Sequence, residues 1–128
     1  MSIVQRRFAK LYIVLGHSFV RPELLEEALT HSSVRGTDHR RNDYERLEFL
    51  GDRVLGLVVA ELLWRRFPPE PEGALTRRLA QPVRRETLSQ VAAELNLAEH
   101  IRIAAGAEAS QLRHNRSVGA DVAEAVIG

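Results

Sequence analysis

Cysteine is absent from the 128 residues. That excludes disulfides and thiolate metal sites, and it fits a reducing compartment. No apolar run reaches the ~18 residues of a membrane span. The first fifteen residues mix charged and apolar side chains, unlike a secretory leader; the expected location is the cytoplasm, with no membrane partner. Aromatic residues are only 5% of the chain, too few for the base-stacking platform that single-stranded nucleic acid favours. Neither sign of charge dominates, and the net charge is +1. Lysine is nearly missing: Lys10 is the only one among 18 basic residues. Arginine stays charged and grips phosphate through two parallel N–H donors. The pairs Arg6-Arg7, Arg40-Arg41, Arg65-Arg66, Arg77-Arg78 and Arg84-Arg85 could therefore form a phosphate-facing surface beside an acidic pocket. The plainer alternative is codon bias together with solvated helix faces.

What the chain does contain is 45% hydrophobic and 27% charged residues, the balance of one globular domain with a real core. Sustained period-two alternation is missing throughout, so the expected fold is all-α. Residues 3–15 read as a helix closed by Gly16, and Pro22 suits the first turn of a second helix over 22–30. Residues 31–42 are polar and read as a loop. The longest helix follows, capped by Asn42 or Asp43 and ended before Pro68-Pro69. Its second half is apolar nearly all round, which predicts burial on most sides. Gly51 and Gly56 each cost that helix ~1 kcal/mol relative to alanine, a cost that close approach by another helix or a ligand would offset. Helices over 72–80, 84–95 and 118–127 complete the pattern, with Pro82 as a kink or boundary, 97–103 as a short turn of helix and 104–117 as a short helix or loop.

The densest chemistry lies in ERLEFLGD, residues 45–52, and in ADVAE, residues 120–124. At ~100° per residue, Glu45, Glu48 and Asp52 fall within about 60° of one another on a helix. Asp121 and Glu124 share a face of a second helix. Clustered carboxylates repel and raise one another's pKa values, so the arrangement is most readily kept where divalent cations neutralise it. Oxygen-only ligands point to magnesium or manganese rather than zinc. A di-iron carboxylate bundle would want Glu-x-x-His pairs, and neither Glu48 nor Asp121 has a histidine three residues on. Phe49 projects ~40° from Glu45, on the carboxylate side, where ordinary core packing is its plainest role. His31 reads as a structural hydrogen-bonding residue, and Trp64 and Tyr12 as core or interface.

ERLEFLGD resembles the signature of the ribonuclease III catalytic domain. LGHSF (15–19), LLEEALTHSS (24–33), EGALTRR (72–78), ETLSQVA (86–92) and ADVAEAVIG (120–128) resemble that family's other blocks in order and spacing. The resemblance implies a homodimeric helical endonuclease that uses Mg²⁺, with Mn²⁺ able to substitute, and cuts double-stranded RNA. Its products would carry 5′-phosphate and 3′-hydroxyl ends with short 3′ overhangs, and its tasks would be ribosomal precursor processing and messenger turnover. The family's metal ligands map onto Glu48, Asp52, Asp121 and Glu124, with Asp52 and Glu124 as the catalytic pair. Glu45 is the retained first glutamate, Glu72 an assistant across the active-site valley, and Phe49 a contact inserted into the partner subunit. Pro82 departs from the family's apolar residue there. Residues 1–128 are expected to form one catalytic domain, short at its C-terminal side, with nothing resembling a double-stranded RNA-binding domain. The alternative is a catalytically silent RNA-binding or assembly module of the same fold.

Overall fold

The computed structural model describes residues 1–36, 38, 42–106 and 108–128. In chain order the helices are α1 (Ile3–Arg7), α2 (Ala9–Leu15), α3 (Pro22–Ala28), α4 (Ser32–Arg35), α5 (Glu45–Arg66), α6 (Glu72–Ala80) and α7 (Arg85–Glu94). A 3₁₀ turn (Leu97–His100), α8 (Ala109–Arg113) and α9 (Arg116–Ile127) follow. Among the described residues there is no strand, only an isolated parallel bridge between Thr30 and Arg102. The all-α expectation therefore holds. Four details differ from the sequence reading. Residues 3–15 form two helices, because the chain turns at Phe8 and sends that ring into the core. The second helix stops at Ala28. The expected loop contains α4, whose N-cap is His31, with Nδ1 accepting from Ser33 N–H at 3.1 Å. His31 thus has the structural role expected of it. The last helix starts two residues early, because the Asn115 side chain accepts from the amides of Ser117 and Val118. His39 and the Arg40-Arg41 pair lie outside the described residues.

The centre of the domain is α9. Val118, Ala120, Val122, Ala123, Glu124 and Ala125 are all buried on it, and it packs most extensively against α5 and α7. Its small residues let neighbours come close. Around it gather Phe8, Leu11, Leu25, Leu29, Leu88, Leu97 and Ile101, each fully buried side chain contributing about 1.5–3 kcal/mol. Thr30 ties the start of α5 into this core: its carbonyl accepts from Tyr44 N–H at 2.9 Å, while Arg102 N–H bonds the neighbouring Leu29 carbonyl.

The long helix α5 is not buried on most sides, contrary to the sequence reading. Within this chain Leu57 is 72% exposed, Leu62 61% and Trp64 67%, and Gly51 is the one buried residue on the helix. The reason is length. A helix of 22 residues spans about 33 Å and outruns the core, so its first half crosses α9 while its second half leaves an apolar flank open to solvent. Tyr12, by contrast, packs against the core.

Gly51 is where α5 and α9 cross. A Cβ there would land on the Glu124 carbonyl, and a Cβ on Gly128 would meet the Leu47 carbonyl. Both obstacles are backbone, so no rotamer change relieves them. Gly56 has open space around it, so the close approach expected at both glycines exists at only one of them. Gly51→Ala is expected to destabilise the fold by about 3 kcal/mol or more, from overpacking against rigid backbone. Gly56→Ala should instead be neutral or stabilising by up to ~1 kcal/mol. Urea denaturation of the two variants checks the contrast.

Candidate active site

The α5–α9 crossing decides which side chains meet. Glu48 lies one turn before Gly51 and Asp52 directly follows it, while the carbonyl that Gly51 accommodates belongs to Glu124. Asp121 stands one turn earlier on α9. Its Oδ1 accepts from the Arg85 guanidinium at 2.6 Å, and its Oδ2 lies 3.5 Å from the Tyr44 hydroxyl. Asp52 is held differently, by Arg53 at 2.7 Å on the same helix.

Electrostatics join these groups. Burial and then a hydrogen bond to Asp121 push the Glu48 carboxyl up to about 7, and the charges of Asp121 and Glu124 add to the shift. Glu124 is also raised, first by burial and then by the negative charge of Asp52. Arg85 opposes both shifts. The Tyr44 hydroxyl is pushed far up by burial and by Asp121, so it stays a proton donor. A site that disfavours the charged form of two carboxylates in this way is short of positive charge.

Four of the expected residues, Glu48, Asp52, Asp121 and Glu124, therefore share one electrostatic neighbourhood. Their donors are all carboxylate oxygens, the set that Mg²⁺ and Mn²⁺ accept. Among the described residues no three acidic or histidine side chains converge closely enough to grip an ion, and Asp121 and Asp52 pair with arginines. The donor chemistry fits a hard divalent cation, and Asp121 and Asp52 would have to turn from their arginines to receive one.

The other candidates stand apart. Glu45 lines an open groove with Glu27, Arg46, Leu47, Phe49 and Leu50, and its charge reaches Tyr44. Glu72 sits exposed in the first turn of α6, and no described hydrogen bond or ion pair links it to the four. Phe49 is 64% exposed, so it is not a core residue of this chain; the Arg53 guanidinium lies 4.2 Å from its ring centre. Tyr44 was invisible to sequence reasoning, since nothing in its neighbours marks it. Arg85 was noted only as half of an arginine pair. Most of those pairs prove to be ordinary partners: Arg7 pairs with Glu26, Arg65 with Glu61 and Arg78 with Glu70. Arg85 alone among the described pairs reaches the acidic cluster.

The Glu48 shift gives a stability prediction. Its folded pKa lies above its ordinary value of 4.5, so the fold disfavours the charged form. The penalty is absent below about pH 4.5, grows as pH rises, and is full above about pH 7. Glu48→Gln should therefore raise the melting temperature of the metal-free protein at pH 8 by about 3–5 °C and leave it nearly unchanged at pH 4.5. Calorimetry at the two pH values checks this.

Comparison with known proteins agrees with the geometry. A family model described as Ribonuclease-III-like matches residues 21–128. The chain is 47% identical over 114 residues to the ribonuclease 3 of Rhodopseudomonas palustris, covering 89% of this chain and 42% of that protein. To the ribonuclease 3 of Azorhizobium caulinodans it is 49% identical over 121 residues, covering 94% and 52%. The chain thus spans about half the length of these relatives. Two solved structures of the nuclease domain of ribonuclease III from Campylobacter jejuni superpose on it. One has a TM-score of 0.83 at 35% identity, covering 93% of this chain and 80% of that one; it is described by structural flexibility in the region involved in dimer formation. The other, at 2.2 Å resolution, has a TM-score of 0.81 at 36% identity, covering 92% and 78%. With paired acidic residues facing each other across two crossed helices, this chain belongs to the ribonuclease III family.

Proposed function

We propose that this chain is the catalytic part of a Mg²⁺-dependent endoribonuclease that cuts double-stranded RNA. The observation that carries the reading is the meeting of Glu48 and Asp52 from α5 with Asp121 and Glu124 from α9 at a crossing without room for a Cβ. Glu48, Asp52, Asp121 and Glu124 would hold Mg²⁺, with Mn²⁺ as a substitute. Bound cations would supply an activated water and neutralise charge on the departing 3′ oxygen. Asp52 and Glu124 orient the water, and the Tyr44 hydroxyl, kept protonated, faces Asp121 as a hydrogen-bond donor. The products would be 5′-phosphate and 3′-hydroxyl ends with short 3′ overhangs. Precursor ribosomal RNA and messenger RNA in the cytoplasm are the expected substrates. Among the described residues no helix is long and apolar enough to cross a membrane.

The open apolar flank of α5 supports a homodimer. Phe49, Leu50, Leu57, Val58, Leu62 and Trp64 are all exposed on this one helix, a concentration that marks an interaction surface rather than ordinary solvent-facing helix. A twofold partner docked there would bury it, with Phe49 inserted into the other subunit. Two sites so related would each cut one strand of a duplex.

One observation favours a second reading, a catalytically silent RNA-binding or assembly module: Asp121 and Asp52 are already paired with arginine. One assay separates the two. Purified protein with long duplex RNA is expected to cleave in Mg²⁺ and not in Ca²⁺; absence of Mg²⁺-dependent cutting at high protein concentration favours the silent module. Asp52→Asn or Glu124→Gln should lower cleavage by about a thousandfold or more while light scattering still reports a dimer. Cleavage surviving Glu124→Gln sinks the mechanism. Leu62→Asp should give monomers with weakened cleavage.

A further inference from the structure

Arg85 breaks a local rule. It is the first residue of α7, where the helix dipole is positive and a cation is disfavoured. The contacts that offset this come from α9. A single guanidinium nitrogen donates to the Ser117 carbonyl at 3.0 Å, to Ser117 Oγ at 2.7 Å and to Asp121 Oδ1 at 2.6 Å. The Arg85 side chain remains half-exposed while that of Asp121 is largely covered. The arginine therefore enters the acidic cluster from its solvent side.

We propose that Arg85 is the internal counter-cation of the metal-free site: it holds Asp121 by an oxygen that a metal ion would need, so that cation binding and the Arg85–Asp121 pair compete. This inference rests on the metal-binding reading of Glu48, Asp52, Asp121 and Glu124. In the absence of a cation, four carboxylates at one helix crossing repel one another, and Arg85 offsets part of that repulsion. When a divalent cation arrives, Asp121 turns to it and the guanidinium is released toward solvent, still tethered to Ser117. Arg85 is thus a positioning residue rather than a catalytic one. Arg53 is the natural comparison. It pairs with Asp52 at the surface, with both side chains more than half exposed, where an ion pair is worth little.

The competition has a signature that a merely structural arginine lacks: removing it loosens the empty protein and tightens the loaded one. Mn²⁺ binding to the full chain, read by electron paramagnetic resonance of the free ion, tests this without any cleavage assay. Arg85→Gln should bind Mn²⁺ about fivefold more tightly than the unsubstituted protein. Its metal-free melting temperature should fall by about 3–6 °C, and saturating Mn²⁺ should close that gap. Arg85→Lys should stay near the unsubstituted protein in both, and Arg53→Gln should change Mn²⁺ affinity less than Arg85→Gln does. If Arg85→Gln is unfolded without metal, Mn²⁺ should restore its far-ultraviolet circular dichroism; failure to restore it overturns the role. Equal or weaker Mn²⁺ binding by a folded Arg85→Gln overturns it too, and leaves the metal reading standing. No Mn²⁺ binding by the unsubstituted protein overturns the metal reading and this inference together.

Discussion

The backbone contact between Gly51 on α5 and the Glu124 carbonyl on α9 is the constraint on which the rest depends. Helices usually pack with axes 8–10 Å apart because side chains separate them. Here a residue without a side chain lets one backbone reach the other, and the same motif places carboxylates on either side of that glycine. Close crossing and acidic site are therefore one feature. A larger residue would push α9 outward and carry Asp121 and Glu124 away from Glu48.

That geometry stores a cost. Burial, a hydrogen bond to Asp121 and mutual repulsion hold Glu48 up to about 7, and burial and repulsion raise Glu124 as well, so without a cation these carboxylates work against the stability of the fold. The domain tolerates it because α9 is otherwise lined with small apolar residues that pack tightly, and because Arg85 and the Tyr44 hydroxyl both address Asp121. Sites that bind charge commonly break the rules of a quiet interior in this way. The cluster repels without a cation, and the proposed Mg²⁺ would relieve it.

The open flank of α5 carries a related lesson about hydrophobic pattern. An apolar face reports that something covers it, not what. Leu57, Leu62 and Trp64 have no covering partner among the described residues, and the proposed twofold partner would supply one. The Arg53 guanidinium touches both Phe49 and Asp52, so the flank and the acidic site meet on that helix.

The sequence by itself determined the all-α class, most helix positions, and the two acidic pairs with their family. It could do so because helical period, capping and breaking residues act over a few neighbours, and ERLEFLGD and ADVAE each lie within two turns. It also determined that a helix containing Gly51 and Gly56 needed a reason. Only the tertiary structure decided which glycine was needed, because that depends on where α9 crosses. It showed that α9, rather than α5, is the buried centre, since burial depends on how far a helix extends past its neighbours. It brought Tyr44 and Arg85 to Asp121 from positions 77 and 36 residues away in the chain. No local pattern encodes a meeting over that distance; it follows only from the packing of whole helices.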